Sequence, residues 1–506
     1  MNLLPPSERH ELSRVARPSA AWLERLDVLL LLVAADRVTA LAAFPGGSAL
    51  AREHARLRCR PAGSYAVTLN TRRGLRAFVG VLPAGADAFQ TLTLAGRLVR
   101  EAAAARPAVV GIAALAAERD STAADALVAA LLAATESRPQ AKRRPAPRWR
   151  PRRVSVAGVA TLALTRATEN GAHLARWLTQ LPPNVLGPGS YRRAVGTLAR
   201  RHGWHMRVLG EGALRRLGAG AFLAVARGSL RRDAALVRLE YRPRARARGR
   251  RGVARPLALV GKGICFDTGG HNLKAPRSMV NMHTDMAGSA VALGILTALT
   301  QQDYPHPVDA WLALAENRIG PASYTQQDVV TAVNGTTIQV THTDAEGRMV
   351  LADTLALASR TRPVCIIDFA TLTGACVTAL TERMSGVFTN RAPLRAILEA
   401  AGSRAGERVW TLPMPADFDD DLDSPVADVV QCLLDGKGDH IYASRFLSHF
   451  VADGIPWVHV DLSSAERIGG LAHVPAPITG FGVRFGTALL TDPDFLRAIA
   501  LRPRRR

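Results

Sequence analysis

Cysteine is scarce: Cys59, Cys265, Cys365, Cys376 and Cys432 are scattered over 506 residues, with no CxxC pair. The odd count and wide spacing argue against a disulfide framework and against a cysteine-based metal site, and they fit a reducing compartment. HExxH is missing, which argues against a mononuclear zinc protease of that class. GxSxG is missing too, which argues against a serine hydrolase built on a nucleophile elbow. No apolar run reaches the roughly 20 clean residues of a membrane span. The nearest, LDVLLLLVAADRVTALAAF, is interrupted by Asp36 and Arg37. The opening MNLLPPSERHELSR has no basic start followed by an apolar stretch and a cleavage site. These absences predict a soluble, cytoplasmic chain with no membrane partner.

Acidic residues are outnumbered, 42 against 65 basic ones, for a formal net charge of +23. Nearly all of the excess is arginine, and it gathers in AKRRPAPRWRPRRV (141 to 154) and YRPRARARGRRGVARP (241 to 256). A basic surface invites nucleic acid. The interspersed Pro, Gly and Ala instead mark exposed linkers or loops. A nucleic-acid partner therefore stands as a second reading.

What is plentiful is apolar: 48% of residues are hydrophobic, enough for a large core and for two or three domains. Residues 1 to about 140 mix strand-like runs (SYAVTL, RAFVGVL, PAVVGIAAL) with Ala-rich helical stretches, a small α/β domain. The Pro/Arg stretch at 141 to 153 marks a boundary, dividing the chain into 1–153 and 154–506. Beyond it, PLALVGKG, VDAWLALAEN, PVCIIDFATLTG and PWVHVDL read as buried strands alternating with helices such as GSAVALGILTALTQ. That alternation predicts a mixed, mostly parallel sheet sandwiched by helices, with its working site at the carboxyl ends of the strands.

Polar residues cluster where those ends fall. In LALVGKGICFDTGGHNLK (257 to 274) an apolar strand runs into Lys262, followed by Asp267, a glycine pair and Lys274. A lysine there is costly unless paired or deprotonated, and an ion pair with Asp267 is the simplest partner. In MVNMHTDMAGSAVALGILTAL, Asp285 precedes a helix and reads alone as its N-cap. THTDAEGRMV (341 to 350) sets Asp344, Glu346 and Arg348 at a strand-to-helix corner. In an extended segment, side chains two apart face the same way, so all three would point into one cavity. Four carboxylates on one rim repel unless cations hold them. Two divalent ions bridged by Asp267 and Glu346 resolve that and are a known hydrolytic device.

THTDAEGRMVLADTL resembles the NTDAEGRL signature of the leucyl (cytosol) aminopeptidases. VGKGICFDTGG, NLK, MHTDMAG and DFATLTGA resemble that family's other motifs in order and spacing, as do LPPNVLGP before them and PWVHVDLSSAE and ITGFGVR after, over roughly residues 175 to 485. The resemblance implies a two-metal site for zinc or manganese. Lys262, Asp267, Asp285 and Glu346 would hold the tighter ion. Asp267, Asp344 (with its backbone carbonyl) and Glu346 would hold the exchangeable one. It further implies that Lys274 polarises the scissile carbonyl and that Arg348 holds a bicarbonate acting as general base. Met282, Thr371 and Gly374 would flank the pocket for the first side chain, with Leu372 offering backbone contacts. His342 stands beside the substrate where the family usually has Asn, and His283 stands where it usually has Lys or Arg. The implied activity is release of unblocked, apolar N-terminal residues from peptides by a homohexamer. A DNA-binding protein on the same fold and a dipeptide-specific hydrolase are the competing readings.

Overall fold

The computed structural model describes residues 1–6, 10–116, 122–145, 148–159, 161–243 and 255–500. Two sheets organise it. The first has six strands, in the order Glu11–Val15, Arg153–Ala157, Val109–Leu115, Val28–Ala34, Arg76–Leu82, Ser64–Thr68, and all neighbours are parallel except the last pair. The apolar run near the N-terminus is the strand Val28–Ala34, whose first six residues are buried. Residues with both faces covered need no polar alternation, hence the unbroken VLLLLV. The strand Arg153–Ala157 belongs to this sheet, which therefore runs four residues beyond the expected break at 153.

The second sheet has eight strands, in the order Val409–Thr411, Ser385–Thr389, Trp457–Asp461, Ile366–Ala370, Leu257–Asp267, Val308–Asn317, Ala235–Tyr241, His205–Gly210. The central four, from Trp457–Asp461 to Val308–Asn317, are mutually parallel, as the apolar runs predicted. One apolar layer packs the helices Ala163–Thr179, Pro188–His202 and Ala287–Gln301 on one face. Another packs Gly220–Ala226, Glu346–Ser359 and Asp439–Ser448 on the other. The approach is close: a Cβ on Gly261 would sit 2.4 Å from Ser289 Cα, and one on Gly288 would sit 2.0 Å from the Phe369 carbonyl oxygen. Parallel central strands put Asp267, Asn317, Ala370 and Asp461 at one edge, Asn317 opposite Asp267 and Asp461 opposite Ala370.

The two units meet through apolar contacts, Ala133 with Val474 and Ala476, and through charge. Arg176 is 1% exposed and donates to Glu136, just past the first unit's helix Thr122–Thr135, at 2.6 and 2.8 Å, while Glu169 lies 3.6 Å from it. All five cysteine thiols are free, four of them buried. No described helix is long and apolar enough to cross a membrane.

Candidate metal centre and substrate cleft

Lys262 sits in the middle of its strand rather than at its end, because the strand continues to Asp267. Gly261 and Gly263 face the helix Ala287–Gln301, so Lys262 faces the opposite way, toward the helix Glu346–Ser359. Its ammonium lies 2.7 Å from Asp285 Oδ1 and 2.9 Å from Glu346 Oε1 and donates to the Thr371 carbonyl at 2.9 Å. Burial alone would lower its pKa, but Asp285, Glu346 and Asp267 together raise it well above the usual lysine value. The expected pairing with Asp267 is not made. Asp267 instead faces Lys274, at 2.9 Å, and Lys274 also reaches Asp344 at 2.5 Å. The other Asp267 oxygen accepts from Gly269 N and Asn317 Nδ2, both at 2.8 Å.

Asp285 is not a helix cap. It follows the 3-10 turn Met282–Thr284, and the helix beginning at Ala287 has no side-chain cap. The carboxylate accepts from Lys262 and from the Thr371 hydroxyl at 2.8 Å. The corner at 341 to 350 is not extended either. Asp344 lies in a turn, and Glu346 and Arg348 are already in the first turn of the helix Glu346–Ser359. The turn, not strand alternation, swings Asp344 toward Glu346.

Asp267, Asp344 and Glu346 each offer an oxygen within 4.8 Å of the others. Burial, then mutual repulsion, pushes Glu346 up to about 8 and Asp344 to about 7. Burial pushes Asp285 to about 6 against the pull of Lys262. Asp285 Oδ2 and Glu346 Oε2 are buried without a hydrogen-bond partner. Buried carboxylates with free lone pairs, converging from three segments, are a donor set suited to hard or borderline divalent ions.

Two adjoining cavities hold the rest. Lys262, Asp267, Lys274, Asp285, Asp344 and Glu346 line one of about 460 Å³ together with Met282, Thr371, Leu372 and Gly374. His342 and Arg348 line the other, of about 270 Å³, which shares Lys274, Asp344 and Glu346 with the first. Burial, then Lys274, lowers the His342 pKa, and its Nδ1 accepts from Asp344 N at 3.3 Å. His283, on the turn beside Met282, lines neither cavity. All twelve expected site residues are thus brought together. Asn317, Asp439, Asp461 and Glu466 are additions. Asn317 and Asp461 close the runs VDAWLALAEN and PWVHVDL, and their places at strand ends were the available signal. Asp461 accepts from Leu372 N at 3.1 Å and from the Thr373 hydroxyl at 2.6 Å, fixing the loop beside the carboxylates.

The expected bicarbonate does not fit the Arg348 fork. Nη2 donates to both Asp439 oxygens, at 2.7 and 2.8 Å, and Nη1 donates to the Gln431 carbonyl at 3.2 Å. A carboxylate thus already pairs with Nη2, while Nε is buried without a hydrogen-bond partner.

Comparison with known proteins decides the lineage. Residues 173–486 match the model of the cytosol aminopeptidase family, catalytic domain. The chain belongs to this family. A probable cytosol aminopeptidase of Parasynechococcus marenigrum is 38% identical over 364 residues, covering 70% of this chain and 72% of that protein. One from Syntrophotalea carbinolica is 41% identical over 339 residues, 66% of each chain. Among solved structures, the bottromycin maturation enzyme BotP in complex with Mn aligns with a TM-score of 0.79 and 31% identity, over 93% of this chain and 99% of that one. A tomato leucine aminopeptidase mutant shares the fold, with a TM-score of 0.82 at 24% identity over 96% and 98%. Family membership makes the chain a metal-dependent aminopeptidase, a hydrolase acting on peptides. Of the arginine clusters, residues 244–254 lie outside the described residues. In the other cluster Arg153 pairs with Glu11 at 3.2 Å.

Proposed function

We propose that this aminopeptidase binds two divalent ions, zinc or manganese, through Lys262, Asp267, Asp285, Asp344 and Glu346, and removes apolar N-terminal residues from peptides. The observation that carries this is the convergence of Asp267, Asp344 and Glu346 within 4.8 Å. The unpartnered oxygens on Asp285 and Glu346 support it. When bound, the ions supply Lewis acidity and lower the pKa of water. Lys262 must shed its proton to serve as a ligand. Lys274 stays cationic and lies where it stabilises the developing oxyanion. The loop at Thr371 and Leu372, held by Asp461, offers backbone groups to the substrate. Met282, Val377, Leu462 and Ile478 form apolar wall for the first side chain, with Gly374 leaving room.

Family membership also supports a homohexamer in the cytoplasm, and a domain division just after the strand that ends at Ala157. The test is release of p-nitroaniline from leucyl-p-nitroanilide by chelated protein reloaded with manganese or zinc, beside Glu346→Ala. Metal-restored cleavage that the variant lacks is expected. Cleavage equally fast in the variant would overturn the ligand assignment.

A further inference from the structure

Arg348 is 3% exposed at its side chain and sits in the first turn of the helix Glu346–Ser359, two residues past Glu346. A guanidinium buried this deeply needs an anion. Asp439 supplies it from across the cleft, 91 residues along the chain, with both oxygens on Nη2. Asp439 opens the helix Asp439–Ser448 after Gly438, whose φ of 60° lies in the left-handed region. Its side chain keeps 23% of its surface exposed, and it lines the cavity of about 270 Å³ with Lys274, Asp344 and Glu346. One carboxylate is therefore fixed in place by Arg348 and open to a cavity that two of the metal-ligating acids also line.

We propose that Asp439 is the built-in proton acceptor of this enzyme, standing where a bicarbonate would otherwise be held by Arg348. The inference rests on the aminopeptidase reading above. An Asp439 oxygen takes a proton from water. The water oxygen bonds to the peptide carbonyl carbon. As the C–N bond breaks, that proton passes to the departing amine nitrogen. Peptide and water give an amino acid and a shortened peptide, and nothing is oxidised or reduced. Arg348 is a positioning residue in this scheme: its guanidinium aims the carboxylate. Asp439 could instead serve only to neutralise a buried arginine or to favour a helix start. A merely neutralising role would be restored by any anion that fits, nitrate or chloride included, whereas proton acceptance is restored only by a basic one such as bicarbonate.

The experiment uses full-length metal-loaded protein in carbon-dioxide-free buffer, with bicarbonate as the probe. Wild type should hydrolyse leucyl-p-nitroanilide at a rate that bicarbonate leaves unchanged. Asp439→Gly should lose about 100-fold in kcat and regain a large part of it, saturably, as bicarbonate is added. Asp439→Asn, whose amide fills the same space, should lose activity without rescue. Calorimetric titration should detect bicarbonate binding to Asp439→Gly and none to wild type, a readout independent of turnover. A wild type that needs bicarbonate, an Asp439→Gly that stays active, or one that binds bicarbonate yet is not rescued would each overturn the proposal. Wild type inactive under every metal would instead sink the aminopeptidase reading on which it rests.

Discussion

Gly347 lies against Lys262: a Cβ at 347 would sit 2.5 Å from Lys262 Cε and 2.7 Å from Nζ. The glycine in DAEGR therefore serves a lysine on a neighbouring strand. In a helix, Gly→Ala ordinarily gains up to about 1 kcal/mol. Here the overlap outweighs that gain, because Lys262 is pinned by Asp285 and Glu346 and has nowhere to retreat. Gly347→Ala should keep the fold but lower metal affinity by about 10- to 100-fold, measured by competition with a chromogenic chelator. Affinity equal to wild type would mean that Lys262 is no ligand.

Metal loading should stabilise the chain. An ion at 100 times its Kd contributes about 2.7 kcal/mol, read as a rise in Tm that Glu346→Gln removes. Loading should also release protons, since Lys262 and the raised carboxyls of Asp344 and Glu346 must be deprotonated to bind. A pH-stat titration with manganese in weak buffer reads that release directly. Loading with no proton release would show that the ions bind elsewhere.

Much of the site was legible because metal chemistry demands charged residue types in places where burial is otherwise costly. Asp267, Asp344 and Glu346 announced themselves that way. The details that failed were three-dimensional. Lys262 lies mid-strand because the strand runs five residues further, and the glycines on either side of it admit a helix. Asp344, Glu346 and Arg348 reach their cavities through a turn and a helix, which period-two alternation does not describe. Asp439 carries no motif, and its partnership with Arg348 joins two helix starts 91 residues apart. The chain has only four lysines, at 142, 262, 274 and 437, and the two expected in the site line one cavity.

The joint between the two units should be a weak point for mutation. Arg176 and Glu169 are 1% and 2% exposed, and Arg484 lies 2.8 Å from Glu169. Arg176→Met leaves Glu136 buried without its close cation and takes the more distant of two arginines from Glu169. The expected cost is about 3–5 kcal/mol, measured by urea denaturation. Adding Glu136→Gln should recover part of that loss. A single variant within 1 kcal/mol of wild type would show that water reaches the cluster.

Glu407 carries a stability signature in pH. Burial raises its pKa from 4.5 to about 7, offset in part by Phe485 N and Gly482 N, each donating at 2.8 Å. The folded chain thus holds this proton more tightly than the unfolded chain. Between about pH 4.5 and 7 the folded state binds more protons, so this contribution to stability falls as pH rises and stays lost above 7. Glu407→Gln keeps an acceptor for both amides and removes the titration. The variant's stability relative to wild type should improve by about 2–3 kcal/mol from pH 4.5 to pH 8. A constant difference would mean that Glu407 is ionised throughout.

Glu466 bears on which residue is removed. It lines the same cavity as Met282, Val377, Leu462 and Ile478. Its backbone is held by a bridge to Ile478, by Arg467 N donating to the Pro477 carbonyl at 2.8 Å, and by Thr479 N donating to the Ala465 carbonyl at 3.0 Å. Asn281 Nδ2 donates to Oε1 at 2.9 Å, and burial raises the carboxyl pKa above the usual glutamate value. A fixed carboxylate beside the apolar wall of Met282, Val377, Leu462 and Ile478, in a lining that also holds Glu382 and Arg467, favours a side chain with a long aliphatic stem and a cationic tip. Arginyl substrates should therefore compete well with leucyl ones, and more so as pH rises and Glu466 ionises. Glu466→Leu should lower the arginyl-to-leucyl ratio of kcat/KM by about tenfold, equivalent to about 1.4 kcal/mol. The kcat of the leucyl substrate should hold, because Glu466 is not among the metal-facing acids. Raising the ionic strength should shrink the wild-type preference and leave the variant's ratio alone. A ratio unmoved by both mutation and salt would assign the choice of first residue to Met282 and Gly374 alone.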